Sequence, residues 1–176
     1  MGAPELARAV EPVTDRIVRI GEAYRAESGL LRATLGSCVG IGLIWRARSR
    51  CALAHCLLPS APGPGGSPPY EVERDPHACA RYVDRAVPAL LRLLDVERGA
   101  YGELDAVLVG GASLAKLGRG AAGQIGRQNI EAARTCLVKF GLRIVFDQVG
   151  GTKGWQVTIN ASQLSYAARE IVIPGH

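Results

Sequence analysis

Cys38 and His55 are the two residues whose types and spacing could do chemistry together. They lie seventeen residues apart, on either side of a short basic turn. The stretch around Cys38 reads A-T-L-G-S-C-V-G-I-G-L-I-W, and that around His55 reads C-A-L-A-H-C-L-L-P-S. Between these apolar runs stand Arg46, Arg48 and Arg50, so two strands joined by a tight turn are predicted. With the turn centred on Arg46-Ala47, Cys38 lies directly across from His55. Opposed side chains on one face have Cβ atoms roughly 5 Å apart. At that range a thiol and an imidazole can share a proton, as a nucleophilic cysteine and its base do.

The first strand has a period of two. Val39, Ile41, Leu43 and Trp45 make a buried face, while the other face begins Cys38, Gly40, Gly42. A thiol beside two residues without side chains reads as a shallow groove with a nucleophile at its end. It also reads as the corner of a barrel or sandwich around an ordinary buried cysteine. On the first reading, Gly36, Ser37, Val39 and Gly40 line the groove, and backbone N–H groups from Gly36 to Val39 hold an oxyanion.

Further landmarks follow in order. I-V-R-I-G-E-A-Y spans Ile17 to Tyr24, R-Y-V-D-R-A-V spans Arg81 to Val87, and G-G-A-S spans Gly110 to Ser113. I-G-R-Q-N-I-E-A spans Ile125 to Ala132, and a Gly150-Gly151 turn comes after it. With T-L-G-S-C-V-G-I and A-H-C-L-L-P, these make the chain resemble the chemoreceptor glutamine deamidases of chemotaxis, the CheD family, from about Arg16 to about Val172. The resemblance implies a cysteine amidohydrolase that converts receptor glutamines to glutamate with release of ammonia. It implies Cys38 as nucleophile and His55 as base. The family usually carries a Thr six residues before the Cys as third member. Arg32 stands at that position here and has donors only, so Thr34, two residues closer on the same strand face and roughly 7 Å along it, or a backbone carbonyl is expected to accept the hydrogen bond from His55. The resemblance also implies methyl-accepting chemoreceptors as substrates and a CheC-type phosphatase as a further partner. A relative that kept only that binding role is the alternative to an enzyme.

The rest of the chain must position these residues. At 176 residues and 48% hydrophobic, it is long enough for one domain with a substantial core. Residues 1–15 read as a poorly anchored extension, and 16–176 as a single domain. No apolar run reaches the ~20 residues a membrane span needs, and the N-terminus has acids and no continuous apolar core, so neither membrane insertion nor a signal peptide is expected. Five cysteines, an odd number, fit free thiols in a reducing cytoplasm. The net charge of +5 is spread out and lacks aromatic platforms, which argues against nucleic acid. Cys38, Cys51, His55 and Cys56 invite a zinc reading, but adjacent His55 and Cys56 point to opposite faces of a strand, so no metal or other cofactor is expected.

Strands are predicted over Ile17 to Ile20, Leu30 to Leu35 and Leu104 to Val109. Leu142 to Gln148 and Trp155 to Asn160 are expected to pair as a hairpin over Gly150-Gly151, with Leu164 to Ile173 closing the sheet. Asp75-Pro76 predicts the start of a helix running to Leu94, with Pro88 inside it. A second helix is predicted from Gln128 or Asn129 to Phe140, after a pliable run containing Gly118, Gly120, Gly123 and Gly126. Ser60 to Pro69 is a Pro/Gly-rich loop, read as a lid over the groove or a tolerated insertion. Gly110-Gly111 after a strand lacks a phosphate-loop pattern and reads as a tight turn. The expected class is α+β: two packed mixed β-sheets flanked by helices, an α/β/β/α-type layered sandwich, which the resemblance also implies.

Overall fold

The computed structural model describes residues 14–63, 75–114 and 121–173. Among them are β1 (Asp15–Ile17), β2 (Ala23–Ala26), β3 (Leu30–Leu35), β4 (Val39–Trp45) and β5 (Arg50–Cys56). Then come α1 (Val83–Leu94), β6 (Asp105–Gly110), α2 (Ala121–Lys139), β7 (Arg143–Val149), β8 (Gly154–Asn160) and β9 (Ser165–Ile171). The strands form a four-stranded sheet of order β1-β3-β8-β9 and a five-stranded sheet of order β2-β5-β4-β6-β7. Both are mixed: β1 runs parallel to β3 and β7 parallel to β6, whereas β4 is antiparallel to both its neighbours.

Strand β4 is buried on both faces, which its unbroken apolar and glycine content allows. Val39, Ile41 and Leu43 pack with Val83, Val87, Leu90 and Leu94 of α1 and Leu137 of α2. On the other face, Ile44 joins Cys51 and Leu53 of β5 against Leu31, Leu35, Val157 and Ile159 of the four-stranded sheet. Each such fully buried Leu, Ile or Val contributes about 1.5–3 kcal/mol. Both helices therefore cover one face of the five-stranded sheet. The described layers run helices, five strands, four strands, without a helix layer on the far side. Arg32 and Thr34 lie on that far side, half-buried and exposed. No helix among the described residues is long and apolar enough to cross a membrane.

Several local expectations change. Strand β2 carries only four residues and escapes the period-two pattern, yet it edges the five-stranded sheet by pairing with β5. Helix α1 starts at Val83 and not at Asp75. The residues before it run through turns tied to β2 and the residues ahead of it: Ala23 N–H donates to the His77 carbonyl and Ala80 N–H to the Gly21 carbonyl. Asp75 takes the His77 N–H in a local turn. Strands β7 and β8 flank Gly150-Gly151 but belong to different sheets. Those glycines, at φ of 80° and 79°, turn the chain from one sheet to the other and close no hairpin. Of the Pro/Gly-rich loop over Ser60 to Pro69, read as a lid or an insertion, the part from Pro64 onward lies outside the described residues, as do Gly118 and Gly120. Gly123 and Gly126 fall inside α2.

Gly126 is where α2 meets the loop after β6. A Cβ there would stand 2.5 Å from the Gly111 carbonyl oxygen and 2.9 Å from that of Ala112. In an exposed helix Gly→Ala gains roughly 1 kcal/mol. Here the overpacking should reverse the sign, with Gly126→Ala destabilising by about 1–3 kcal/mol. A lower urea midpoint at unchanged slope is the expected result; a higher midpoint would mean that helix and loop are free to separate.

Candidate active site

The chain leaves the four-stranded sheet at Leu35 and enters the five-stranded sheet at Val39. Gly36, Ser37 and Cys38 form the crossing. All three of their carbonyls are held from outside. Ala112 N–H donates to Gly36 O at 2.8 Å and Gly111 N–H to Cys38 O at 2.7 Å. The Asn129 side-chain Nδ2 donates to Ser37 O at 2.9 Å and also to Leu57 O at 3.0 Å. The nucleophile candidate thus sits on a braced bend, with its side chain in the layer between the sheets and 6% exposed.

His55 is paired with Gly40 and not with Cys38. The connection is the cause: Arg46–Arg48 form a 3-10 turn and Ser49 takes a left-handed conformation. This centres the turn a residue later than Arg46-Ala47 and shifts the partner of His55 by two. The even shift preserves the face. Cys38 and His55 become diagonal neighbours, about 7–8 Å apart at Cα and less between side chains.

The imidazole is 4% exposed. Its Nδ1 lies 3.0 Å from the carbonyl of Val18. A carbonyl only accepts, so Nδ1 carries the proton and Nε2 the lone pair. That Nε2 is buried with no hydrogen-bond partner among the described residues. The His55 backbone is clamped as well, its N–H on Glu22 O and its carbonyl on Gly21 N–H.

Thr34 is not brought to His55. Strand parity sends it to the exposed outer face, while Ala33 and Leu35 point inward. Arg32 shares that outer face, and its guanidinium Nε lies 3.2 Å from Asp15. Position 32 still contributes through its backbone: Arg32 O accepts the Val18 N–H at 2.7 Å, fixing the residue whose own carbonyl holds His55. Of the two expected acceptors, Thr34 and a backbone carbonyl, the carbonyl is the one found against His55.

The glycine face also differs from the expected groove. A Cβ on Gly40 would stand 3.0 Å from Leu35 and 3.3 Å from Val157, and one on Gly42 would stand 2.6 Å from Ile159. These glycines let the two sheets approach, so Gly40 lines packing and not open space. Val39 is paired with Cys56 on one side and Gly110 on the other, which commits its backbone to the ladders. The N–H groups of Ser37 and Cys38 remain, and neither has a backbone acceptor among the described residues.

Burial governs the electrostatics. Desolvation pushes the Cys38 thiol up to about 11, against the smaller opposing effect of its own backbone N–H. Burial thus favours the neutral thiol over the thiolate. Desolvation likewise lowers His55 from its ordinary 6.5, opposed by the Val18 hydrogen bond and by Glu22. The resting pair is neutral thiol and neutral imidazole, with the basic nitrogen unoccupied. Cys51 and Cys56 are raised further by burial, and Cys136 to about 11. Among the described residues, His, Cys, Asp and Glu form no group of three that could hold a metal ion.

Two residues here escape sequence reasoning. Val18 acts through a carbonyl, which leaves no trace in residue type. Asn129 does leave one: it sits beside Ile130 on the stripe of α2 that buries Ala133 and Leu137, where a polar residue must find partners.

A family profile described as CheD chemotactic sensory transduction matches residues 66–170. The chain belongs to the CheD family. It is 37% identical over 150 residues to the "Probable chemoreceptor glutamine deamidase CheD" of Bdellovibrio bacteriovorus, covering 81% of this chain and 86% of that one. It is 34% identical over 167 residues to a "Probable chemoreceptor glutamine deamidase CheD 2" of Ruegeria, covering 90% and 93%. A similarly described CheD protein of Methanococcus maripaludis is 32% identical over 86% of this chain and 90% of its own. The profile match begins after β5, while the matches to these CheD relatives cover most of the chain.

Proposed function

We propose that this protein is a cytoplasmic protein-glutamine deamidase, hydrolysing side-chain amides of specific glutamines in methyl-accepting chemoreceptors. The observation that carries this reading is His55: its Nδ1 is anchored on Val18 O while its Nε2 is buried and has no partner among the described residues, on the face it shares with Cys38. A histidine serving only the core would have both nitrogens satisfied. As the glutamine carbonyl arrives, the Cys38 sulfur attacks its carbon and the thiol proton passes to Nε2. The oxyanion lies against the N–H groups of Ser37 and Cys38. Collapse breaks the C–N bond, and the proton on Nε2 leaves with ammonia. Water, deprotonated by the same nitrogen, then hydrolyses the thioester to glutamate and restores the thiol.

The test is mass spectrometry of a receptor cytoplasmic fragment incubated with the protein. Deamidation replaces NH2 by OH, adding about one dalton per site, as the amidohydrolase chemistry requires. Absence of any mass gain on glutamine peptides would overturn the reading. Rate against pH tests the mechanism in the same assay. Because the folded His55 pKa is lowered from 6.5, its base form persists as pH falls through that value, and activity should decline only below it. The thiol, pushed up to about 11, adds no inflection in the neutral range. A rate that falls as pH rises through neutrality would point instead to a preformed thiolate–imidazolium pair.

A further inference from the structure

Asn129 is fully buried in the middle of α2, and its Nδ2 holds two carbonyls that flank the site. One belongs to Ser37, directly before Cys38. The other belongs to Leu57, two residues after His55. The amide therefore ties the start of β4 to the end of β5. Both partners are acceptors, so the position needs two donors from one group, which Asn supplies and Asp does not. Its Oδ1 is buried without a partner among the described residues, a cost that packing alone gives no reason to retain.

The Ser37 carbonyl shares a planar peptide with the Cys38 N–H, and in a trans peptide the two point in opposite directions. Pinning the carbonyl toward α2 turns the N–H away from it. The β4–β6 ladder makes the same point: Gly111 N–H donates to Cys38 O, but Cys38 N–H does not return the bond. The opposing effect of that N–H on its own thiol agrees with its lying on the side of the sulfur.

We infer that Asn129 is a positioning residue: by holding Ser37 O and Leu57 O it fixes the peptide plane that presents the Cys38 N–H to the oxyanion formed when Cys38 attacks a carbonyl. The inference rests on the proposed cysteine chemistry, and its test does not need the receptor. With p-nitrophenyl acetate, the Cys38 sulfur bonds to the acetyl carbon, the C–O bond to p-nitrophenolate breaks, and the thiol proton passes to His55. This route crosses an oxyanion. Alkylation of the same sulfur by iodoacetamide displaces iodide and crosses none.

Both reactions are followed at Cys38 by peptide mapping in the full-length chain, Asn129→Ala and Asn129→Asp, with circular dichroism reporting the fold. Loss of one oxyanion donor costs ~10²–10³ in rate, so acetylation should fall by about that factor while alkylation stays near the unsubstituted rate. Equal changes in the two reactions, or none, would overturn the inference. So would a native Cys38 that is alkylated but never acetylated, or loss of fold in both variants, which would make Asn129 a structural residue only. Acetylation at Cys38 with the expected Asn129 dependence, but no receptor deamidation, would uphold Asn129 and reject the proposed substrate.

Discussion

Cys38→Ala should leave receptor glutamines unmodified while the protein stays folded. The loss should be at least about 10³-fold, the scale on which removal of a covalent nucleophile acts. No neighbouring thiol can substitute. Cys51 lies on the same side of the sheet but is fully buried at the far end of β5, and Cys56 points into the helix-side cluster. The cost in stability should be small, because the side chain loses only one sulfur atom from the inter-sheet cluster. A deletion of that size costs about 1 kcal/mol. The checks are mass spectrometry of the receptor fragment and a thermal melt. Residual deamidation near the native rate would place the chemistry elsewhere. Unfolding would make Cys38 a core residue first.

His55→Asn should lower deamidation by about 10²–10⁴-fold, the usual contribution of a positioned general base. Asparagine is the informative replacement because its amide nitrogen can occupy the place of Nδ1 and still donate to Val18 O. The anchor is kept and the titrating Nε2 is removed. The acid limb of the pH profile should then vanish along with most of the rate. If His55→Asn kept both, the proton acceptor would be another group and the unpartnered Nε2 would need a different account. Iodoacetamide labelling of Cys38 should slow in this variant, since the thiol, raised by burial, needs an acceptor for its proton.

These two residues were legible because the information is local. One strand face carries Cys38 with Gly40, the next strand carries His55, and a basic turn joins them. The expected direct opposition was off by two residues. The conformation of Arg46 to Ser49 decides the register, and the arginines there mark a turn without stating its length. An even error keeps His55 on the face of Cys38; an odd one would have put it among the helix-side residues.

Thr34 shows the opposite case. Strand parity alone places it opposite to Ala33 and Leu35, but which face of β3 meets the second sheet depends on Leu31, Leu35 and Val157 packing against β4 and β5. Once those residues turn inward, Thr34 and Arg32 must turn out. The orienting group for His55 is then supplied by Val18, thirty-seven residues away, through a carbonyl that any residue would carry.

From the sequence by itself came β3 to its exact bounds, the two strands of the Cys38–His55 hairpin, the thiol and the imidazole, and the mixed α+β class. Each rests on periodicity or residue type within a few positions. The tertiary structure alone decided that β7 and β8 part company at Gly150-Gly151, because a turn signal records a reversal and not whether the flanking strands share hydrogen bonds. It alone moved the start of α1 to Val83, because the edge of β2 offers the residues before it hydrogen bonds that a helix would otherwise provide. It also decided that Asn129 reaches Ser37 and Leu57, since those backbone groups come within range of one amide only when α2 docks against the bend that carries Cys38.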